Sequence, residues 1–346
     1  MSERNPVRVA VNGYGVIGKR VADAVQAQND MHLIGVADVA TDWRLWPPGR
    51  KAIALYGATI EHAQAMTKAG LAVAGTLDEL LAQADIVIDC TPKRVAAENV
   101  KTYRSRDIKF VVHGGEKHAV TGHSFVAESS FESAIGRSAT RVVSCNTTSI
   151  VRTLTALKRS GLLKKARGTL LRRATDPWES HEGGIMNTLV PEPEIPSHQG
   201  PDAQSVDPDL DVVTMAVKVP QTLAHLHYWS VQLTRRASKD EVLDAFRSSS
   251  RIALIRIADG LTALNTVKEL MTDLSRPHDS LYEVALWEDM LKVEGDELFY
   301  AYMVDNQAIV IPDTIDAIRA LTSLADSADD TISRTNASLG IGRIFS

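Results

Sequence analysis

The stretch VRVAVNGYGVIGKRVADAVQAQ, residues 7–28, constrains the fold more than any other part of the chain. Val7 to Val11 is a β-branched run of strand character, and Gly13, Gly15 and Gly18 follow in the spacing G-x-G-x-x-G. Ile17, Val21 and Val25 then recur at helical spacing. The next segment, LIGVADV at 33–39, is a second strand ending in an acid, Asp38. Gly13 permits a tight turn, Gly15 lets a pyrophosphate approach the backbone, and Gly18 lets helix and strand pack closely. The start of the helix, at Val16 and Ile17, supplies N–H groups and a positive dipole end for phosphates. A glycine-rich turn without a ligand is the plain alternative. Strand before, helix after and acid on the next strand coincide here, so a dinucleotide is the expected ligand.

The alternation continues. LAVAG (71–75) reads as a short strand, TLDELLAQA (76–84) as a helix, and DIVIDCTP (85–92) as a buried strand stopped by Thr91-Pro92. VAAENVKTYRSRD reads as a helix, IKFVVHGG (108–115) as a strand, and TRVVS (140–144) as the last of the series. Strands alternating with helices predict a doubly wound parallel sheet of Rossmann type. Gly114 and Gly115 fall at a strand's C-terminal end, where ligands of such sheets lie, although a plain turn explains them equally on local grounds. At 346 residues the chain is long for one domain and natural for two. Its net charge of −5 gives no nucleic-acid surface, and its apolar runs fall short of the roughly 20 residues of a membrane span.

Two cysteines, Cys90 and Cys145, make no disulfide framework. With no leader pattern at the start of the chain, a reducing, cytoplasmic setting and free thiols are expected. Cys90 lies inside an apolar strand and fits the common fate of a buried, inert cysteine. Cys145 does not, being flanked by Ser144, Asn146, Thr147 and Thr148. Ile150, Val151, Leu154 and Leu157 follow at helical spacing, Ser160-Gly161 ends the pattern, and Thr147 or Thr148 would serve as N-cap. A thiol at a helix N-terminus is favoured as thiolate, the nucleophilic form, and the same N–H groups can hold an oxyanion.

Beyond residue 145 the pattern changes. GTLLRRATDP (168–177), VVTMAVKVP (212–220) and LHYWSVQLT (226–234) read as strands of an antiparallel kind, with a long Pro- and Gly-containing segment at 178–210 and an amphipathic helix at 238–250. His225 and His227 are candidates for the base that a cysteine nucleophile needs. Two apart on a strand, they share a face. That placement also suits a metal pair, but no zinc spacing accompanies it, and a hydrogen-bonded structural role is the commoner fate. The residues alone do not choose between the two. Arg172 and Arg173, adjacent on a strand, face opposite sides. One could bind a substrate phosphate and the other a cofactor group, or both could be a solvated pair.

SCNTT, with VNGYGVIGKRVADAV, HGGEKH, RRATDP, PSHQGPD and TLAHLH, resembles the archaeal-type (class II) phosphorylating glyceraldehyde-3-phosphate dehydrogenases over nearly the whole chain. The resemblance implies a dinucleotide-binding domain at 1–144, completed by a C-terminal helix at 308–346, and an α+β catalytic domain at 145–307 on a mostly antiparallel sheet. It implies Cys145 as nucleophile and His225, rather than His227, as base. Ser144, Asn146, Thr147, Thr148, Arg172, His198 and Gln199 would meet the substrate. Gly13, Gly15, Val16, Ile17, Gly18, Asp38, Gly115, Arg173 and Asn306 would meet the cofactor. This chain departs from the family with Asn306 in place of Gln, Gln199 in place of a second His and Ser149 in place of Gly. The implied reaction takes D-glyceraldehyde 3-phosphate and inorganic phosphate to 1,3-bisphosphoglycerate through a cysteine thioester, in a homotetramer without a metal, a nucleic-acid partner or a membrane. Another cysteine-dependent semialdehyde or acyl-phosphate dehydrogenase, or a non-catalytic dinucleotide sensor, are the rival readings. Asp38 would accept the adenosine ribose hydroxyls and repel a 2′-phosphate, so NAD is expected over NADP. Arg44 nearby keeps NADP open, and capping of the next turn is the plain alternative for Asp38.

Overall fold

A computed structural model describes residues 5–113, 115–180 and 187–342. Gly114, residues 181–186 of the long segment and residues 343–346 lie outside it. The chain divides into two compact units, one of residues 1–143 and 311–339, the other of 144–310 and 340–346.

The first unit is built on a sheet of eight strands: β1 (Val7–Asn12), β2 (Met31–Asp38), β3 (Leu55–Gly57), β4 (Gly75–Thr76), β5 (Ile86–Asp89), β6 (Lys109–His113), β7 (Ser124–Phe125) and β8 (Ala139–Val142). They lie in the order β4-β3-β2-β1-β5-β6-β8-β7, and each neighbouring pair is parallel. The order reverses direction between β1 and β5, and an open α/β sheet binds its ligands at such a switch point. The linking helices are α1 (Val16–Gln26), α2 (Trp46–Arg50), α3 (Ile60–Lys68), α4 (Leu77–Leu81), α5 (Val95–Ser105) and α6 (Ala127–Ala134). The short α4 is fixed by a capping box, in which the Thr76 N–H donates to Glu79 Oε2 at 2.7 Å. Val87, Val100, Tyr103, Phe110 and Val112 form the core of one face. Each fully buried side chain of this kind contributes roughly 1.5–3 kcal/mol.

The second unit starts with α7 (Cys145–Arg159). Its sheet runs β10 (Val190–Pro191), β11 (Val212–Val219), β9 (Leu163–Arg173), β12 (His225–Leu233), β16 (Glu297–Val304), β14 (Val284–Trp287), β13 (Ile252–Ile255), with β15 (Lys292–Glu294) also on β16. Most neighbours are antiparallel; β9 with β11 and β13 with β14 are parallel. Helix α7 packs against β9 and β16, and against α8 (Gln199–Gln204) and α9 (Lys239–Arg247). Helix α10 (Leu264–Asp273) covers the β13–β14 end through Val267 and Met271. Residues 146–157 of α7 are buried on every side, and several of its polar groups find protein partners. Thr153 donates to the Ser149 carbonyl at 2.9 Å, and Arg152 donates to the carbonyls of Tyr282 and Ile309 at 2.8 and 3.0 Å.

Two expectations are corrected here. The C-terminal helix expected over 308–346 is two helices, α11 (Ile311–Thr322) and α12 (Ala328–Leu339). The break falls where Ser323 takes a φ of 54° and the Leu324 N–H closes on the Arg319 carbonyl at 2.9 Å, a helix-ending turn. The strand expected at 71–75 is reduced to Gly75–Thr76. The strands between 252 and 304, which carried no expectation from the sequence, include the short, wholly apolar runs of β13 and β14. Helix α11 belongs to the first unit through a buried ion pair: Arg319 donates from Nε and Nη2 to the two Asp30 oxygens at 2.9 and 3.0 Å, and from Nη1 to Thr335 at 2.6 Å. A fork of donors on a planar carboxylate is the geometry in which arginine binds best.

Candidate active site

Cys145 is the first residue of α7, and the N-cap is Ser144. Its hydroxyl accepts the Thr147 N–H at 3.3 Å, so the cap lies three residues before Thr147 rather than at Thr147 or Thr148 as expected. Thr147 is fully buried and its hydroxyl donates to Asp202 at 2.8 Å; Thr148 is equally buried. Both hydroxyls therefore point into the protein. Their backbone N–H groups are engaged as well, that of Thr147 with the Ser144 hydroxyl and that of Thr148 with the Ser144 carbonyl at 2.8 Å.

The sulfur of Cys145 lies 3.5 Å from Nε2 of His225. The Asn146 amide nitrogen is 3.8 Å from the same sulfur. Both histidines of β12 are buried on one face, at 4% and 0% exposure, and they do different things. His225 Nδ1 accepts the backbone N–H of Arg173 at 3.0 Å. The single proton of the neutral ring is thereby assigned to Nε2, facing the sulfur. His227 meets Asn146 Oδ1 at 2.8 Å and the Tyr302 hydroxyl at 3.0 Å. Among the described residues no three His, Cys, Asp or Glu side chains are grouped to hold a metal.

Burial governs the charges. It pushes the Cys145 thiol up to about 11, against the pull of Arg173, the Asn146 N–H and Arg172, while Asp305 adds to the push. Burial, then His227, Arg173 and Arg172, hold His225 well below the ordinary imidazole range. Burial and Arg172 take His227 down to about 3. The helix end does not by itself make a thiolate here, because desolvation outweighs it. Nε2 already carries a proton, and moving it to Nδ1 would set two N–H groups against each other.

Arg172 is ion-paired with Glu192 and carries an Nε that is buried without a partner. Glu192 also lies 3.6 Å from His198. Gln199, at 0% exposure, has no partner for either end of its amide among the described residues. Arg173 is held by Asp176 at 2.6 Å, and Asp176 also accepts the Gln307 amide at 2.7 Å. Asn306, next in sequence to Gln307, has a buried amide oxygen with no partner. Tyr302, Glu192, Asp202 and Asp176 were not legible in the sequence. Tyr302 had a faint signal, since Leu298, Tyr300 and Tyr302 alternate as a buried face of β16.

In the first unit the glycine turn meets its requirements. Gly13 has a φ of 91°, and a Cβ on it would stand 2.9 Å from the Cys90 carbonyl carbon. A Cβ on Gly18 would meet the Gly13 oxygen at 1.8 Å, so only glycine fits. At Gly15, the residue that caps α1 without a side-chain bond, a Cβ would meet nothing within 4 Å. The first turn of α1 at Val16 and Ile17 thus opens onto free space, as a dinucleotide phosphate needs. Asp38 accepts the N–H of Tyr14 at 2.6 Å and those of Val39 and Ala40 at 2.7 and 2.9 Å. It stitches the turn to the end of β2, so the capping reading holds. Beside it, Lys19 sits over the Trp43 ring, and Arg44 is paired with Asp42. Asp89 closes the neighbouring loop by accepting Thr91 N–H, Tyr103 and Asn99 at 2.9, 2.7 and 2.9 Å. A Cβ on Gly115, beyond β6, would first meet Lys93, at 3.4 Å.

Residues 144–292 match the family described as glyceraldehyde 3-phosphate dehydrogenase, C-terminal domain, and residues 7–146 match that described as dihydrodipicolinate reductase, N-terminus. A glyceraldehyde-3-phosphate dehydrogenase of Archaeoglobus fulgidus is 43% identical over 98% of this chain and 99% of its own. Those of Metallosphaera sedula and Methanothermus fervidus are 41% and 40% identical, over 97% and 96% of this chain and 98% of each relative.

The buried thiol and neutral ring set the pH dependence of alkylation. A thiol held near 11 ionises more as pH rises, so the iodoacetamide rate at Cys145 should climb about tenfold per pH unit from 6 to 9. Peptide mapping should find Cys145 labelled before Cys90, whose thiol burial and Asp89 push up further. A rate that is already flat above pH 6 would mean a thiolate–imidazolium pair instead.

Proposed function

The chain belongs to the archaeal-type glyceraldehyde-3-phosphate dehydrogenases, and from that premise we propose that Cys145 is the nucleophile and His225 its partner in the phosphorylating oxidation of D-glyceraldehyde 3-phosphate. The 3.5 Å contact between Sγ and Nε2 is the observation that carries this reading. Cys145 loses its proton to solvent and adds to the aldehyde carbon as thiolate. The Nε2–H of His225 donates first to the sulfur and then to the oxygen that gains charge when the C–S bond forms. The N–H groups at the start of α7 add to that stabilisation. When bound, a nicotinamide dinucleotide supplies the hydride acceptor that turns the hemithioacetal into a thioester. Inorganic phosphate then displaces the thiolate and leaves as 1,3-bisphosphoglycerate. One proton is released overall, so His225 need not keep one.

Gly13, Gly15, Val16, Ile17, Gly18, Asp38 and Gly115 are assigned to the dinucleotide, with Arg173 and Asn306 toward its nicotinamide side. Ser144, Asn146, Thr147, Thr148, Arg172, His198 and Gln199 are assigned to the substrate. The unpartnered Gln199 amide and Arg172 Nε support that assignment, since buried polar groups need partners and a bound phosphate supplies acceptors. The test is cofactor reduction with glyceraldehyde 3-phosphate. The parent should turn over with phosphate present and give one equivalent without it. Cys145→Ser should be inactive, and His225→Asn about 10²–10⁴-fold slower with dinucleotide binding unchanged. An active Cys145→Ser would overturn the mechanism.

The cofactor preference rests on Asp38. Its oxygens already accept three backbone N–H groups, which fixes a carboxylate beside the turn. A 2′-phosphate there would face that charge, while Arg44 is engaged with Asp42. Comparison of kcat/KM should show NAD preferred over NADP, with Asp38→Ala narrowing the ratio. A parent that prefers NADP refutes this.

A homotetramer is the proposed assembly. On the outer face of the second sheet, Met215, Thr169 and Tyr228 are register neighbours, as are Val217, Leu171 and Leu226. Met215 is 45% and Tyr228 43% exposed. An apolar sheet face of this kind is a surface that subunits cover. Sedimentation should give four chains, and Met215→Asp should shift the species to smaller ones; a parent that sediments as one chain excludes the assembly.

A further inference from the structure

We infer that His227 is a positioning residue that works through Asn146, holding its carboxamide so that the NH₂ end faces the sulfur of Cys145. The inference rests on the proposed nucleophile and adds a residue to its machinery. A side-chain amide can sit either way round. An oxygen toward a thiolate repels it, whereas N–H groups stabilise it. What decides the orientation is the group on the far side of the amide. There His227 Nε2 lies 2.8 Å from Asn146 Oδ1, fully out of solvent.

The ring is neutral and has one N–H to place. Tyr302 Oη stands 3.0 Å from Nδ1. When the phenol donates to Nδ1, the ring proton is on Nε2, and only the amide oxygen can accept it. The amide nitrogen is then left to face Sγ, where it is found at 3.8 Å. Ser149 keeps the backbone of Asn146 in place by donating to its carbonyl at 2.8 Å. The order Tyr302, His227, Asn146, Cys145 thus satisfies every donor and acceptor once. The reverse order also closes: Tyr302 turns to Ser149 Oγ at 3.3 Å, the ring proton moves to Nδ1, and the amide oxygen faces the sulfur. That order suits S–H and not S⁻. The relay therefore favours the thiolate in one setting only, and His227 is the group through which the setting passes.

The readout is the rate of iodoacetamide alkylation of Cys145 in the full chain, without substrate or cofactor, at fixed pH between 7 and 9. Asn146→Ala and His227→Asn should each slow it about tenfold, equivalent to one unit in thiol pKa. The double variant should be no slower than Asn146→Ala, because His227 acts through Asn146. Tyr302→Phe, which removes one oxygen and preserves the packing, should slow it several-fold and covers the case in which His227→Asn does not fold. A packing role alone would lower the melting temperature and leave the alkylation rate of folded protein unchanged. Parent-like rates in His227→Asn or Tyr302→Phe, or multiplicative losses in the double variant, overturn the inference. A parent whose Cys145 is not the reactive thiol overturns the nucleophile assignment and this inference together; a reactive Cys145 indifferent to His227 overturns the inference alone.

Discussion

The backbone N–H of Arg173 donates to Nδ1 of His225 at 3.0 Å, and the chemistry of the site is arranged around that contact. A backbone donor cannot turn away, so the ring is held as the tautomer with its proton on Nε2. Burial keeps the ring neutral, and the neighbouring positive charges reinforce this. The thiol that faces it is buried too, and burial pushes it up to about 11. A pair of neutral groups costs far less to bury than an ion pair.

The first unit was legible in outline because its signals are local. Three glycines, the strands that flank them and Asp38 lie within residues 7–38 and need no distant partner to be recognised. Cys145 was legible for the same reason, through its polar neighbours and the helical spacing behind it. The second unit was harder. Its sheet brings β9 beside β12 and β12 beside β16, and although β9 and β12 read as strands, no local pattern encodes pairings between segments tens of residues apart. Tyr302 reaches the site through the β12–β16 pairing, and Glu192 follows β10, which pairs with β11. The choice between His225 and His227 was open from spacing, since both point the same way. What separates them is a backbone amide on β9 and a side chain on α7, and neither has a sequence signature.

The glycine turn and the amide beside Cys145 meet similar polar demands by different means. At the turn, carboxylates bind backbone: Asp38 holds three N–H groups, and Asp89 holds a loop N–H together with three side chains. Such sites set the shape of turns. At the amide, side chains bind side chains, as in Tyr302 with His227 and His227 with Asn146. Networks of that kind can shift protons without moving backbone. Geometry for recognition and adjustability for chemistry are thus built from different hydrogen-bond types.

The return of the chain at 311–339 has a consequence for how the protein is made. The first eight strands leave the ribosome early, yet the Asp30 carboxylate waits for Arg319, which is synthesised almost 300 residues later. All of the second unit except residues 340–346 is made in the interval. Domains generally fold as units in the order of their synthesis. Here most of the later-encoded unit can close before the earlier one, and the first sheet is supported by helices encoded beyond residue 310. A chain cut short near its end would therefore lose the support of its beginning.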